Sequence, residues 1–285
     1  MGIIYGLLSA LTWGAADFLA RLSSQRVGAR RTLFWMQLIG LGLTGALLVL
    51  PAARPHSLSP RVMLLACAIG VLNVTGGLLL YRALEIGTVS LVSPVSSTFA
   101  AIAAALSIAA GERPTTLQLS GLVLAFLGVI GSAIPPRGDA ASSHQPASRR
   151  GLGLAAFAAL SWGFAFFALR FVVGDLGSLF PVVVSRAVSV LLLLAASAAL
   201  RAPLTPPRGA LHFVAGVAVL DSAAFVLYNL GIAGDLTAVV SILSSLYSAV
   251  TVLLALVFLN ERLSKLQWSA VAVILVGVGL VSNAG

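Results

Sequence analysis

Gly6–Arg21 reads GLLSALTWGAADFLAR, and Ala155–Arg170 reads AAFAALSWGFAFFALR. A second pair follows: VSPVSSTF at Val92–Phe99 and VSILSSLY at Val240–Tyr247. A third sets Gly111-Glu112-Arg113, Leu117-Gln118 and Gly128-Val129 against Asn260-Glu261-Arg262, Leu266-Gln267 and Gly277-Val278. The partners of every pair lie 148 or 149 residues apart. The chain is a duplicated unit, and its organisation follows from how many times each copy crosses an apolar layer.

Composition says which layer that is. The chain is 59% hydrophobic and only 9% charged, where a soluble domain carries about 25% charged residues. A core of this size cannot hide so much apolar surface from water, so the chain is membrane-embedded. A spanning helix needs about 20 mostly apolar residues. Ten stretches qualify: Ile3–Ala20, Thr32–Leu50, Val62–Tyr81, Val89–Ala110, Leu117–Ile134, Gly151–Val172, Leu179–Leu200, Leu211–Gly231, Leu236–Leu259 and Leu266–Val281. They are too long for barrel strands and lack period-2 alternation. The expected fold is therefore an all-α integral membrane protein, with residues 1–134 and 151–285 as two five-helix repeats. The Ser/Ala/Pro-rich run 135–150 reads as a flexible linker. Five crossings per copy is an odd number, so the second copy enters the bilayer upside down. An inverted-topology repeat of this kind marks many transporters that alternate access around a midplane site.

The 17 basic residues outnumber the 8 acidic ones, and all but one are Arg. Twelve fall in the loops on one face (Arg21, Arg26, Arg30, Arg31, Arg82, Arg137, Arg149, Arg150, Arg201, Arg208, Arg262 and Lys265). Four fall on the other (Arg54, Arg61, Arg113 and Arg170). The positive-inside rule puts both termini outside the cytoplasm. These charges read as orientation signals and lipid-headgroup contacts, not as a nucleic-acid surface. The N-terminus enters an apolar stretch without a basic leader or an A-x-A site and reads as a retained first helix. Cys67 is alone, so no intrachain disulfide forms.

Ionisable groups inside the spans are few, and each costs about 2.5–3.5 kcal/mol to insert at the centre. Asp221 lies near the middle of the eighth segment, opposite Asn73 in the repeat. Arg186 lies in the seventh, opposite Gln37. Both copies keep a polar group at two matching depths, and only the second charges them. Arg186 and Asp221 are expected to pair, either as a structural ion pair or as a contact for substrate or proton. Asp17 has Arg21 one turn later and reads as a structural i,i+4 pair at the cytoplasmic end.

Trp13 and Trp162 are equivalent, each followed by Gly, about 10 residues into their spans and thus near mid-depth. Flat rings at that depth suit the floor of a cavity; lipid-facing or interhelical packing is the plainer alternative. Ser96-Ser97 and Ser244-Ser245 also correspond, with Ser93 and Ser241 three residues before each. Pro94 frees a backbone carbonyl. Hydroxyls and a free carbonyl suit an ammonium group, and helix–helix hydrogen bonding is again the alternative. Tyr81, Phe99, Tyr228 and Tyr247 are candidate gates or cavity walls. Glu112-Arg113 and Glu261-Arg262 read as structural turns. No HExxH, Gly-Lys-Ser/Thr loop or acid–His cluster occurs, so no metal, cofactor, ATP drive or enzyme site is expected.

Ten spans in a 5+5 inverted repeat, Trp-Gly in the first helix of each half and Glu-Arg before the last together resemble the drug/metabolite transporter superfamily. The chain looks like its EamA-type bacterial exporters, and most like those of aromatic and other neutral amino acids. The resemblance covers nearly all 285 residues. It implies a central cavity lined by segments 1, 3, 4, 6, 8 and 9. It carries over to Trp13, Asn73, Ser96, Ser97, Trp162, Asp221, Ser244 and Ser245 as substrate-binding candidates. The sugar-phosphate branch fits less well, since Arg186 is the only internal base away from the helix ends. The resulting expectation is a bacterial inner-membrane secondary transporter exporting small amphiphilic metabolites by alternating access, with or without proton coupling. A multidrug exporter of lipophilic cations is the alternative within transport. A membrane-embedded transferase is the alternative outside it, and would need His, Asp or Arg converging at one membrane face.

Overall fold

A chain inside a bilayer finds no water for its backbone groups, so each spanning segment closes its hydrogen bonds internally as a helix. The computed structural model describes residues 1–50, 55–87, 89–132, 149–234, 236–259 and 265–282, which form helices and no strands. The first repeat contains α1 (Gly2–Val27), α2 (Ala29–Leu47), α3 (Pro60–Ile86), α4 (Val89–Ser97), α5 (Phe99–Ala109) and α6 (Thr116–Ser132). The second contains α7 (Arg149–Leu176), α8 (Phe180–Ala199), α9 (Leu211–Gly234), α10 (Thr237–Ser244), α11 (Tyr247–Leu259) and α12 (Lys265–Ser282). Among the described residues, seven stretches are long and apolar enough to cross a membrane, and Thr116–Gly128 is a shorter apolar helix. The linker residues 135–148 and the Asn260-Glu261-Arg262 motif lie outside the described residues.

Local chemistry sets the helix ends. Gly28, at φ 87, turns the chain between α1 and α2, a conformation that costs other residues steric strain. Ser59 caps α3 by accepting from Val62 N at 3.3 Å, with Pro60 just inside the helix. The two breaks that divide α4 from α5 and α10 from α11 fall at equivalent positions of the repeats. At the first, the Ser96, Ser97 and Thr98 hydroxyls donate to the carbonyls three residues back, at 2.9, 2.8 and 2.7 Å. At the second, Ser244 and Ser245 do the same at 2.9 and 2.7 Å. Such side chains compete with the backbone ladder. The first break also has Pro94; the second has no proline, so there the break coincides with the hydroxyls alone.

The helices pack in a pattern that maps onto itself when the two repeats are exchanged. α1 lies against α9, and its counterpart α7 lies against α3. α2 meets its own counterpart α8, and α6 meets α12. The broken helices cross over, α5 on α10 and α4 on α11. The duplicated Trp-Gly dipeptide explains part of this. A Cβ on Gly14 would sit 2.4 Å from Val250 Cβ and 2.8 Å from the Tyr247 carbonyl of α11. A Cβ on Gly163 would sit 2.6 Å from Ile102 Cβ of α5. Val250 and Ile102 are themselves equivalent, so each glycine seats the same half-helix of the opposite repeat, the close approach that small residues allow in membranes.

Glu112 joins the halves in another way. Its carboxylate accepts from the backbone N–H groups of Thr237 at 3.2 Å and Ala238 at 2.9 Å, the first turn of α10. It also pairs with Arg170 at 3.0 Å. A carboxylate at a helix N-terminus satisfies orphan donors and opposes the helix dipole. The turn-forming Glu expected from the sequence is thus a cap supplied across the repeat boundary.

The surface is apolar and the interior partly polar. Leu64, Leu191, Phe157 and Val257 are more than 60% exposed, while Ser9, Ser93, Ser189 and Thr251 are fully buried. This inverts the usual distribution and suits a chain bathed in lipid tails.

Candidate functional site

A narrow cavity, with room of about 60 Å³ for the centres of water-sized molecules, lies along the seam of the repeats. α1, α2, α3 and α5 supply one wall; α7, α8, α9 and α11 supply the other. The sequence-expected lining omitted the second and seventh segments. The structure adds both, as α2 through Leu33, Met36 and Gln37, and as α8 through Pro181, Val182, Ser185 and Arg186.

The charges sit at the centre. Arg186 Nη2 and Asp221 Oδ2 are 2.8 Å apart, with Arg186 2% exposed. Arg186 Nη1 donates to Gln37 Oε1 at 2.8 Å and lies 3.3 Å from Met36 Sδ. The guanidinium therefore ties α8 to α9 within its repeat and to α2 across the seam. Gly40 makes this possible, because a Cβ there would stand 2.6 Å from the Arg186 Cζ. Trp13 Nε1 donates to Asp221 Oδ1 at 3.1 Å. The equivalent Trp162 Nε1 donates to the Asn73 carbonyl at 3.3 Å. The hydrogen bond is conserved between the copies in donor and acceptor position, with a backbone oxygen replacing the carboxylate. Asn73 Nδ2 donates to Ser185 Oγ at 3.2 Å, again across the seam.

Aromatic rings cover most of the remaining wall. Trp13 meets Phe166 and Phe225 edge-on at 5.3 and 5.1 Å, geometries that the ring quadrupoles favour. Phe166 and Phe225 stack at 5.6 Å. Phe99 and its counterpart Tyr247 stack across the seam at 6.2 Å.

Of the residues singled out in the sequence, Trp13, Asn73, Trp162, Asp221, Arg186, Tyr81, Phe99 and Tyr247 line this cavity. The four serines do not: Ser96, Ser97, Ser244 and Ser245 are fully buried, with hydroxyls turned to their own helical carbonyls. Ser96 also shares a hydrogen bond of 2.7 Å with the Tyr247 hydroxyl, supporting the wall from behind. The correction has a physical cause, since a buried hydroxyl takes the nearest unsatisfied carbonyl when no other partner reaches it. Tyr228 is likewise behind the wall, packed on Trp13 and bonded to Ser241 at 2.6 Å.

Asp17 lines the cavity, and its Oδ2 is buried without a hydrogen-bond partner among the described residues. Phe166 and Phe225 are further wall residues that the sequence reading did not select. The i,i+4 spacing of Trp13 and Asp17 was the available signal that both share one face of α1. No cluster of potential metal ligands occurs among the described residues.

Three comparisons bear on this arrangement. A family model described as the EamA-like transporter family matches residues 1–134 and again residues 149–283. An uncharacterized protein of Methanocaldococcus jannaschii, MJ1333.1, is 36% identical over 131 residues, which are 45% of this chain and 93% of that protein. That relative therefore has about the length of one repeat. A crystal structure titled only as that of a protein shares the fold with a TM-score of 0.77 at 18% identity, over 99% of this chain and 96% of the other.

Proposed function

This chain belongs to the EamA-like transporter family, and from that premise we propose that it is a secondary transporter exporting aromatic or other neutral amino acids. In this reading ten segments span the bacterial inner membrane, five per repeat, with residues 135–148 as the linker and both termini outside the cytoplasm. The two inverted repeats rock about the midplane cavity, opening it to each side in turn. The small-molecule substrate and the bilayer are the partners; no cofactor is used.

The observation that carries the reading is the composition of the cavity wall. One guanidinium and two carboxylates stand among seven aromatic side chains, Trp13, Tyr81, Phe99, Trp162, Phe166, Phe225 and Tyr247. A zwitterion with an apolar side chain matches that pattern: its carboxylate competes for Arg186, its ammonium for an acid, and its side chain for the rings. The second reading, a lipophilic-cation exporter, draws on the excess of one acid over Arg186. It uses the same rings through cation–π contacts.

Purified full-length protein in phospholipid vesicles tests both. Labelled phenylalanine should exchange across the membrane at rates far above protein-free vesicles, while tetraphenylphosphonium should not. The reverse result supports the cation reading. Movement of neither, nor of other neutral amino acids, overturns the amino-acid proposal.

A further inference from the structure

One stripe of side chains on α9 borders the cavity. Asp221, Phe225 and Asn229 recur at every fourth position, and all three line it, so they stand one above another on a single helix face. From first to last the stripe covers about 12 Å of helix axis. Asp221 is its charged end, paired with Arg186 at 2.8 Å. Phe225 is its middle, stacked on Phe166 at 5.6 Å and edge-on to Trp13 at 5.1 Å. Asn229 is its far end. The equivalent positions of α3 are Asn73, Gly77 and Tyr81, which also line the cavity. They hold no carboxylate and no ring at the centre, so only α9 sets head-group charge, ring and amide in one row.

Asn229 is fully buried, and its amide has one orientation. Nδ2 donates to the Ser178 carbonyl at 2.8 Å. A carbonyl only accepts, so the amide cannot be reversed, and Oδ1 is left on the other side. That oxygen is buried and has no hydrogen-bond partner among the described residues. Asn73 differs, because its Nδ2 meets the Ser185 hydroxyl. A hydroxyl donates as well as accepts, so a half-turn of that amide exchanges its free atom. An unpaired buried acceptor costs free energy. The described protein groups do not supply the donor that Asn229 lacks, and a solute in the cavity can.

We propose that Asn229 is a specificity residue, reading a hydrogen-bond donor at the far end of the substrate's ring. The proposal rests on the amino-acid reading above and narrows it. With the substrate carboxylate on Arg186, the side chain lies along the stripe. Its ring sits beside Phe225, and a ring O–H or N–H donates to Asn229 Oδ1. The preferred substrates are thus aromatic amino acids with a polar hydrogen on the ring, such as tyrosine, and phenylalanine is the weaker substrate. A site built around a hydrogen-bonding group discriminates against the analogue that lacks it. Burial of the ring alone gives the reverse order, since phenylalanine carries no hydroxyl to take out of water.

Full-length protein in phospholipid vesicles, exchanging labelled phenylalanine, tests this by competition. Unlabelled tyrosine and para-aminophenylalanine carry the ring donor; unlabelled phenylalanine and para-fluorophenylalanine do not. The donor-bearing pair should half-inhibit exchange at concentrations about tenfold lower, equivalent to about 1.4 kcal/mol and within the reach of one hydrogen bond. Asn229→Leu and Asn229→Ala should each remove that difference. A wild type without the preference overturns the proposal and leaves the amino-acid reading standing. So does a preference that survives in either variant. Where both variants fail to exchange, photolabelling of the wild type by para-azidophenylalanine decides. Label mapped to α9 beside Asn229 supports the assignment, and label elsewhere overturns it. Wild-type protein that exchanges no neutral amino acid defeats the amino-acid reading itself, and this proposal falls with it.

Discussion

Arg186 is held by a carboxylate on one side and an amide on the other, with almost no contact with solvent. Removing one member of a buried pair strands the other charge and costs about 3–5 kcal/mol, whereas replacing both is often neutral. The first repeat already displays a neutral version of the same positions, Gln37 and Asn73. Asp221→Asn alone should therefore lower the unfolding temperature in detergent substantially. The double variant Arg186→Gln, Asp221→Asn should recover most of the loss. A double variant no more stable than the single one would show that the pair is not what the second repeat depends on. Gly40→Ala should act on the same pair, since its new Cβ displaces the guanidinium. Its effect should fall short of additivity with Arg186→Gln, as expected for groups in contact.

Between elements, the approach of α1 to α11 is closer than any side chain on Gly14 allows. Thr251 Oγ1 also donates to the Gly14 carbonyl at 3.1 Å, which fixes the register of the contact. Gly14→Ala is expected to cost about 1–3 kcal/mol, the usual penalty for overpacking. Val250→Ala in the same chain should relieve part of it, because it removes the Cγ1 that would lie 2.6 Å from the new Cβ. A double-mutant cycle on thermal unfolding in detergent measures the coupling, and a coupling of zero would mean that the helices separate instead. The duplicated Trp-Gly reads at this scale as two functions in adjacent residues. The glycine admits a half-helix of the other repeat, and the tryptophan faces the cavity.

Across the whole molecule, the exchange-symmetric packing of α1 on α9 and α7 on α3 is what a two-fold axis between the repeats produces. With the five crossings per repeat proposed above, such an axis lies in the membrane plane. That proposal puts the arginine-rich loops on one face, and a C-terminal reporter should then report the opposite one. An alkaline phosphatase fused after Gly285 should be active in intact cells and a green fluorescent protein dark. The opposite pattern would reverse the orientation and, with it, the direction assigned to export.

The repeat, the membrane environment, the helical segments and the Arg186–Asp221 partnership were all legible in the sequence. Each depends on spacing, hydropathy or the scarcity of buried charge, properties carried by the residues themselves. Three things became visible only in three dimensions. The serine pairs turned out to accompany helix breaks, since the choice between a ligand and a nearby carbonyl depends on what the fold brings within reach. Glu112 caps a helix of the other repeat, a partnership separated by 125 residues of chain. Asp17, which has a basic neighbour in sequence, has an oxygen in the cavity wall without a hydrogen-bond partner among the described residues, because packing of α1 against α9 and α11 fixes which way that face of the helix turns. The length and hydropathy of each segment mark which are apolar enough to cross a bilayer; only the docking of the two repeats determines which polar atoms are left for a solute to satisfy.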